Sequence, residues 1–485
     1  MKSISLKKAT FLNATAKYAT VIINIIVTAI LSRILSPNDY GIVAVITVFT
    51  NFFSILSEMG IGPAIIQNKA LRPEEIDDVF SFTLVAGAIL SIGFMLLSFP
   101  IVFFFENDVY YSIVLILSIS VYFNTINMVP NALLYKAQKF FQIALRTVLV
   151  CVVTSGIAIL LATLGAKYYT LVIQSTLSSV LLFLWNVSGS RLHCKWKWNI
   201  ESVKKIRGYS SYQFLFSITN YFSRNIDNIS IGKILGNESL AYYDKSYKLM
   251  MYPLNNLTFV VNPVLHPILS VHQDDLDYIY KKYVSVIKIF SALGAIIQPV
   301  CFLCAREIVL ILYGGQWEAA IPSFQILSIS IWIQIITSSA GAIYQSINKT
   351  KLMFQSSIIH VCVTVILILG SVLRFRNIES VAVAVMVAYI IKYFVEYYFL
   401  VSKGFQKSFG FFLRQMVPSF LSLMLTSIFG LVLCSVYENI FVLNSILMAF
   451  AIKLILIMVG WLISMLLTGE IKTVLRLMGA VKKNG

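Results

Sequence analysis

The sequence predicts an all-α integral membrane protein of about 14 transmembrane helices, built as two six-span halves followed by two additional spans. Three observations predict it. The 485 residues are 58% hydrophobic and only 12% charged, where soluble domains carry about 25% charged residues; mean hydropathy is +0.83. Apolar runs of about 20 residues, long enough for a helix to cross the hydrocarbon layer, recur from end to end. They lack the alternation of barrel strands, and a helix satisfies its own backbone hydrogen bonds in lipid. Finally, short stretches recur about 200 residues apart.

The elements follow in order. A basic start, "MKSISLKKAT", precedes "FLNATAKYATVIINIIVTAILSRIL". This looks like a secretory leader, but Lys17 interrupts the apolar body and no small-residue cleavage site follows, so it reads as a retained first span at 10–32. The next five spans are expected at 40–66, 79–105, 110–133, 143–165 and 168–189. A second set follows at 209–235, 241–270, 278–304, 320–345, 352–373 and 378–401. Two more lie at 414–436 and 440–468. The expected domains are therefore an N-terminal six-helix lobe (1–200), a C-terminal six-helix lobe (201–410), two additional helices (411–470) and a basic tail (471–485).

The repeat supports the two halves. "SRILSPNDYG" from Ser32 aligns with "GKILGNESLAYY" from Gly232, and "ALLYKAQKFFQ" from Ala132 with "AIYQSINKTKLMFQ" from Ala342. An even repeat keeps its orientation, so the halves should be related by an axis along the membrane normal, a common transporter plan with the site between halves.

The formal net charge of +17 would suggest nucleic acid in a soluble protein. Here its placement points to topology. The loops expected on one side hold about 25 Lys and Arg against about 6 on the other, so both termini should be cytoplasmic. The richest inner loop is "RLHCKWKWNIESVKKIRG". The tail "GEIKTVLRLMGAVKKNG" has Ile471, Leu475 and Met478 at helical spacing; it either lies along the inner surface or is a frayed basic end.

Several charges fall inside spans: Lys17, Arg146, Arg224, Asp227, Lys288, Lys392 and Glu396, with Asp244, Lys245 and Lys248 opening the eighth. A charge at the bilayer centre costs roughly 2.5–3.5 kcal/mol on insertion scales. Arg224 and Asp227 are three apart and Lys392 and Glu396 four apart, close enough to pair on a helix. Such pairs either fasten helices together or face a polar cavity. Pinning or snorkelling explains Lys245, Lys453 and Arg146. For Arg224 and Asp227 a cavity-facing role stands beside the structural one. An excess of cations in a low-dielectric cavity suits an anionic ligand.

Signatures of other chemistry are missing. Six cysteines include Cys301 and Cys304 in a C-x-x-C, without a second Cys/His cluster nearby; they read as small apolar packing residues. The four histidines show no ligand spacing. "HQDDLDYIYKK" reads as a solvated capping turn rather than an acidic site. No nucleotide fingerprint appears. No catalytic residue, metal ligand, cofactor or nucleic-acid partner is expected.

Four stretches carry a family resemblance. They are "LSRILSPNDYGIVAVITVFTNFFSILSEMGIGPAIIQNKALRPEEIDDVFSFTLVAG", "YFSRNIDNISIGKILGNESLAYYDKSYKLMMYPLNNL", "LYGGQWEAAIPSFQILSIS" and "GAIYQSINKTKL". Together they cover spans 1–3 and 7–11 and resemble the Wzx-like polysaccharide transporters. That group belongs to the superfamily of multidrug and toxin extruders and the peptidoglycan lipid-precursor flippase. The resemblance implies two six-helix lobes in a V with alternating access, in the bacterial inner membrane. It implies that an undecaprenyl-diphosphate-linked oligosaccharide moves from the cytoplasmic to the outer leaflet. A cationic cavity would take the headgroup while the lipid tail stays in the bilayer. The sequence leaves the energy source open between a coupling ion, H+ or Na+, and downhill substrate flux. Membrane lipids, a polysaccharide polymerase and glycosyltransferases are the other partners implied. Arg224, Asp227 and Lys248 lie in matched stretches; Lys17, Arg146, Lys288, Lys392 and Glu396 rest on the charge argument alone. Two alternatives stay open. A drug or cation antiporter would carry a lone protonatable acid in the N-terminal half, where Glu58 is a poor substitute. A membrane polymerase or ligase would carry a large outer loop, and none is expected.

Overall fold

The computed structural model describes residues 6–58, 61–68, 71–190, 192–195, 199, 201–202, 221, 225–440 and 445–477. Among them there is no strand. Eleven helices are long and apolar enough to cross a membrane, or twelve if the bent pair Gly315–Ser328 and Ile331–Ser346 is one span. Apolar run length is the cause, and most of the 14 expected spans land where that length put them. The run at 143–165 becomes the helix Phe140–Thr163, and the run at 352–373 becomes Thr350–Phe375. The expected tenth span, 320–345, is the bent pair, turned by 50°. The seventh, 209–235, lies largely outside the described residues, with 225–234 helical. The eighth falls in the 35-residue helix Gly236–Ser270, which is not among the eleven.

Contacts divide the chain into two compact units, Met1–Ala241 and Tyr242–Gly485. The first holds α1 (Leu6–Ile34), α2 (Pro37–Glu58), α3 (Ile61–Gln67), α4 (Pro73–Leu96), α5 (Ser98–Phe105), α6 (Val109–Ile126), α7 (Met128–Lys136), α8 (Phe140–Thr163) and α9 (Tyr169–Ser188). α1 packs on α8, and α6 lies among α2, α4 and α9. Gly87 lets α4 approach α6: a Cβ there would meet Ile126, Thr125 and Tyr122 at 3.2–3.3 Å. Polar side chains seal the same contacts. Ser57 Oγ lies 2.7 Å from Thr125 Oγ1, and Ser120 Oγ 2.7 Å from Ser179 Oγ.

The two repeat corners share a geometry. Leu35 N–H donates to the Leu31 carbonyl, and Leu235 N–H to the Ile231 carbonyl, each at 2.8 Å. The first corner restarts at once as α2, whose Asp39 accepts from the Ser36 amide and hydroxyl. The second turns through Gly236 at φ +86°, a left-handed conformation that glycine adopts without strain. These corners also touch. The backbone of Asn237 lies so close to Gly41 that a Cβ at 41 would stand 1.8 Å from the Asn237 carbonyl oxygen. Tyr110 Oη donates to Asn237 Oδ1 at 2.6 Å, and Lys233 pairs with Glu106 at 2.7 Å.

The basic loop after α9 folds back on its own unit. Lys195 Nζ reaches Asp78 Oδ1 at 3.0 Å and the Glu74 carbonyl at 2.7 Å, while Ser202 Oγ donates to Asp78 Oδ2 at 2.9 Å. Part of the positive charge read as topology is therefore spent on fastening this loop to the start of α4.

In the second unit α10 (Gly236–Ser270, from Tyr242 onward) is followed by α11 (Leu276–Leu303), α12 (Ala305–Leu312), a 3-10 turn (Gly315–Ala320), α13 (Ile321–Ser328), α14 (Ile331–Thr337) and α15 (Ala340–Ser346). Next come α16 (Thr350–Phe375), α17 (Ile378–Tyr397) continued by a π-helix (Tyr398–Gly404), α18 (Phe409–Ile440), α19 (Ile446–Leu467) and α20 (Glu470–Leu477). Asp275 caps α11 by accepting from the Tyr278 amide at 2.9 Å, the capping role expected of that acidic turn. The core gathers Tyr283, Tyr344, Tyr397 and Phe412 from α11, α15, α17 and α18. The last two spans belong to this core. Gly430 and Gly460 let α18 and α19 close on each other, where a Cβ would meet Ile457 at 3.3 Å and Phe429 at 3.0 Å. Cys301 and Cys304 are buried, and all six cysteines are free thiols, in line with a packing role.

Candidate functional site

In the first unit, Arg224 lies outside the described residues. Asp227 is 3% exposed, and its Oδ1 accepts from the Asn228 amide at 2.8 Å. Lys17 is half-buried on α1, where the Thr20 hydroxyl bonds back to its carbonyl at 2.8 Å.

Arg146 has the most distinctive surroundings. It sits two turns into α8 and is 6% exposed. One terminal nitrogen donates to Asn186 Oδ1 on α9, and both terminal nitrogens reach Asn131 Oδ1 on α7 at 3.3 Å. Asn186 in turn donates to Asn127 Oδ1 at 2.6 Å, at the break between α6 and α7. Arg146 Nε is buried with no hydrogen-bond partner among the described residues. Among the described residues the buried cation is thus held by neutral amide oxygens on α7 and α9. It does not snorkel.

In the second unit the charges fall into separate pairs. Lys248 binds Asp244 at 2.6 Å, with the lysine 57% exposed and the aspartate largely buried. Lys245, between them, is 3% exposed and lies under two rings, 4.6 Å from the Tyr313 centroid and 5.1 Å from that of Trp317. This cation is buried against π-faces rather than drawn out to the interface. Lys392 faces Glu396 at 4.0 Å, the pairing that their spacing predicts. That contact is too long for a hydrogen bond, and Glu396 Oε2 is buried with no hydrogen-bond partner. Lys288, on α11, acts by its charge on Glu470 at the start of α20. Burial pushes the Glu470 carboxyl up, with Lys288 pulling the other way.

Lys453, on α19, is 8% exposed and bridges two carboxylates, Glu307 at 2.7 Å and Glu438 at 2.5 Å. It pins α12, α18 and α19 together, as the structural reading of an in-span lysine expects. Among the described residues no group of three or more His, Cys, Asp or Glu could hold a metal ion.

Sequence reasoning found the charges but missed three of the groups that hold them. Asn127, Asn131 and Asn186 stand in the apolar runs "YFNTINMVPNALL" and "LFLWNVSG". An amide in a membrane span needs a partner, since an unsatisfied polar group there is costly. That was the available signal. Glu307 in "CAREIVL" gave the same signal.

A family profile described as "Polysaccharide biosynthesis protein" matches residues 30–322. The chain is similar to an uncharacterized membrane protein in the cps region of Klebsiella pneumoniae, 23% identical over 413 residues, covering 82% of this chain and 83% of that one. It is similar to the lipopolysaccharide biosynthesis protein WzxC of Escherichia coli (strain K12), 22% identical over 368 residues, covering 73% of each chain. The fold is similar to the lipid II flippase MurJ in its inward closed conformation. That match has a TM-score of 0.72 at 16% identity, with 94% of this chain and 98% of that one covered.

Proposed function

Because the chain belongs to the polysaccharide biosynthesis protein family, we infer that this multi-pass membrane protein flips a lipid-linked oligosaccharide across the bacterial inner membrane. The substrate is an undecaprenyl-diphosphate carrying an O-antigen, capsule or exopolysaccharide repeat unit. It passes from the cytoplasmic to the outer leaflet by alternating access of two six-helix lobes. One observation carries the reading: a chain similar to named polysaccharide biosynthesis proteins adopts a flippase fold over nearly its whole length.

The chemistry of the chain supports it. A diphosphate is multiply charged and a sugar chain is fully hydrated, so both need a polar path while the polyprenyl tail stays in lipid. Cations placed within spans meet the diphosphate. Arg224 with Asp227 and Lys248, which lie in the stretches that carry the family resemblance, are the first choices. Lys17, Arg146, Lys288, Lys392 and Glu396, which rest on the charge argument alone, are second. No cofactor is required; H+ or Na+ would supply the drive.

The test is reconstitution into vesicles with a fluorescent lipid-diphosphate oligosaccharide. Protein-dependent transfer between leaflets is expected. No transfer with any sugar tried would sink the reading. Arg224→Ala should abolish transfer and leave a folded, membrane-inserted protein; loss of the protein instead would make the Arg224–Asp227 pair structural.

A further inference from the structure

A cavity of about 330 Å³ opens in the first unit between the end of α7, the turn before α8 and the end of α9. Its lining includes Lys136, Lys139, Ser190 and Leu133 and, among the described residues, no acidic one. The two lysines are not held alike. Lys136 Nζ donates to the Asn68 carbonyl at 2.8 Å, which leaves two of its three N–H groups for another acceptor. Lys139 is the N-cap residue of α8. A cation is disfavoured at a helix N-terminus, and an anion is favoured. Neutralising a helix end therefore does not explain Lys139. A bound anion would be met by the lysine and by the helix end together.

The surroundings say what kind of anion. Tyr135, Phe141 and Trp185 stand at the same helix ends and are 39%, 59% and 40% exposed. Aromatic side chains with that exposure at the ends of membrane spans mark the level of the lipid headgroups. The loop that carries Lys136 and Lys139 is among the basic loops that the positive-inside pattern expects on the cytoplasmic side, against the anionic leaflet. The cavity is at the small end of the size range for ligand sites, and apolar residues such as Leu133 and Leu134 share its wall with the cations.

We propose that this cavity binds the headgroup of an anionic phospholipid of the cytoplasmic leaflet, its phosphodiester held by Lys136 and Lys139. The bound lipid occupies a site of its own, independent of the transport reading. None of the residues assigned above to the transported substrate lines the cavity.

Native mass spectrometry of the full chain, purified in detergent, tests this with three probes: phosphatidylglycerol, phosphatidylcholine of equal chain length, and free glycerol phosphate. The wild-type protein should retain one phosphatidylglycerol in preference to phosphatidylcholine. Lys136→Gln and Lys139→Gln should each weaken that preference about fivefold, the factor a basic side chain near an anionic surface is worth, and together about 25-fold. Ala137→Trp keeps both lysines and fills the cavity; it should abolish the preference and serves if the lysine variants do not fold. Monodisperse elution and an unchanged unfolding midpoint in phosphatidylcholine verify folding. Equal retention of the two lipids by wild type would overturn the proposal. So would a preference that survives Ala137→Trp or the double variant, or binding of glycerol phosphate as tight as that of the lipid.

Discussion

Arg146 and Lys453 are both buried cations in membrane-length helices, one in each unit, and they are stabilised by opposite means. Lys453 is neutralised by charge, with Glu307 and Glu438 on two other helices. Arg146 keeps its charge and is met by the amide oxygens of Asn131 and Asn186. The difference lies in what remains when a partner is lost. Removing Lys453 strands a carboxylate that is itself 9% exposed. Removing Arg146 strands only neutral dipoles. An ion cluster fixes helices firmly and fails badly; an amide cage is weaker, leaves a net positive charge in the unit, and fails gently.

The comparison can be broken by substitution. Lys453→Ala should have the largest effect, about 3–5 kcal/mol of destabilisation, because an unpaired buried charge is left behind. The double variant Lys453→Met with Glu307→Leu should recover most of it. A double variant as unstable as the single one would mean that packing, not charge, dominates there. Arg146→Leu should cost about 2–4 kcal/mol, for two amide acceptors left without a donor. Arg146→Lys, which keeps the charge but cannot fork, should cost about 1–2 kcal/mol. Thermal unfolding in detergent ranks the three, and an Arg146→Leu loss above that of Lys453→Ala would reverse the comparison.

The smallest effect is expected at the exposed pair Lys233–Glu106. Its hydrogen bond and charge from Lys233 hold the Glu106 carboxyl below the usual carboxylate range. The sign follows: the pair contributes above the ordinary carboxylate pKa and is lost as pH falls through the lowered value. Glu106→Gln should leave the unfolding midpoint unchanged at neutral pH in physiological salt and remove only a small acid-side slope.

How legible each feature was in the sequence follows from its length scale. Spans are set by apolar run length, a local property, so Phe140–Thr163 and Tyr169–Ser188 fell close to expectation. Lys392 and Glu396 were legible as a pair because four residues bring side chains together on any helix. The bend between Ser328 and Ile331 was hidden. No proline or glycine marks it, and the hydroxyls of Ser328 and Ser330 fold back on carbonyls three residues earlier instead. Partners far apart in the chain were also hidden: Glu307 is 146 residues from Lys453, and Asn186 is 40 from Arg146. Sequence could say that these cations needed company, but not which residues would provide it.

The close approach at Gly41 has a practical consequence. With the Asn237 carbonyl oxygen 1.8 Å from where a Cβ would stand, backbone rests on backbone and no rotamer can relieve an added methyl. Gly41→Ala is therefore a genetically encoded wedge. It drives apart two corners that the chain brings together across nearly two hundred residues, without altering any charge, and it could be read out in living cells before any protein is purified.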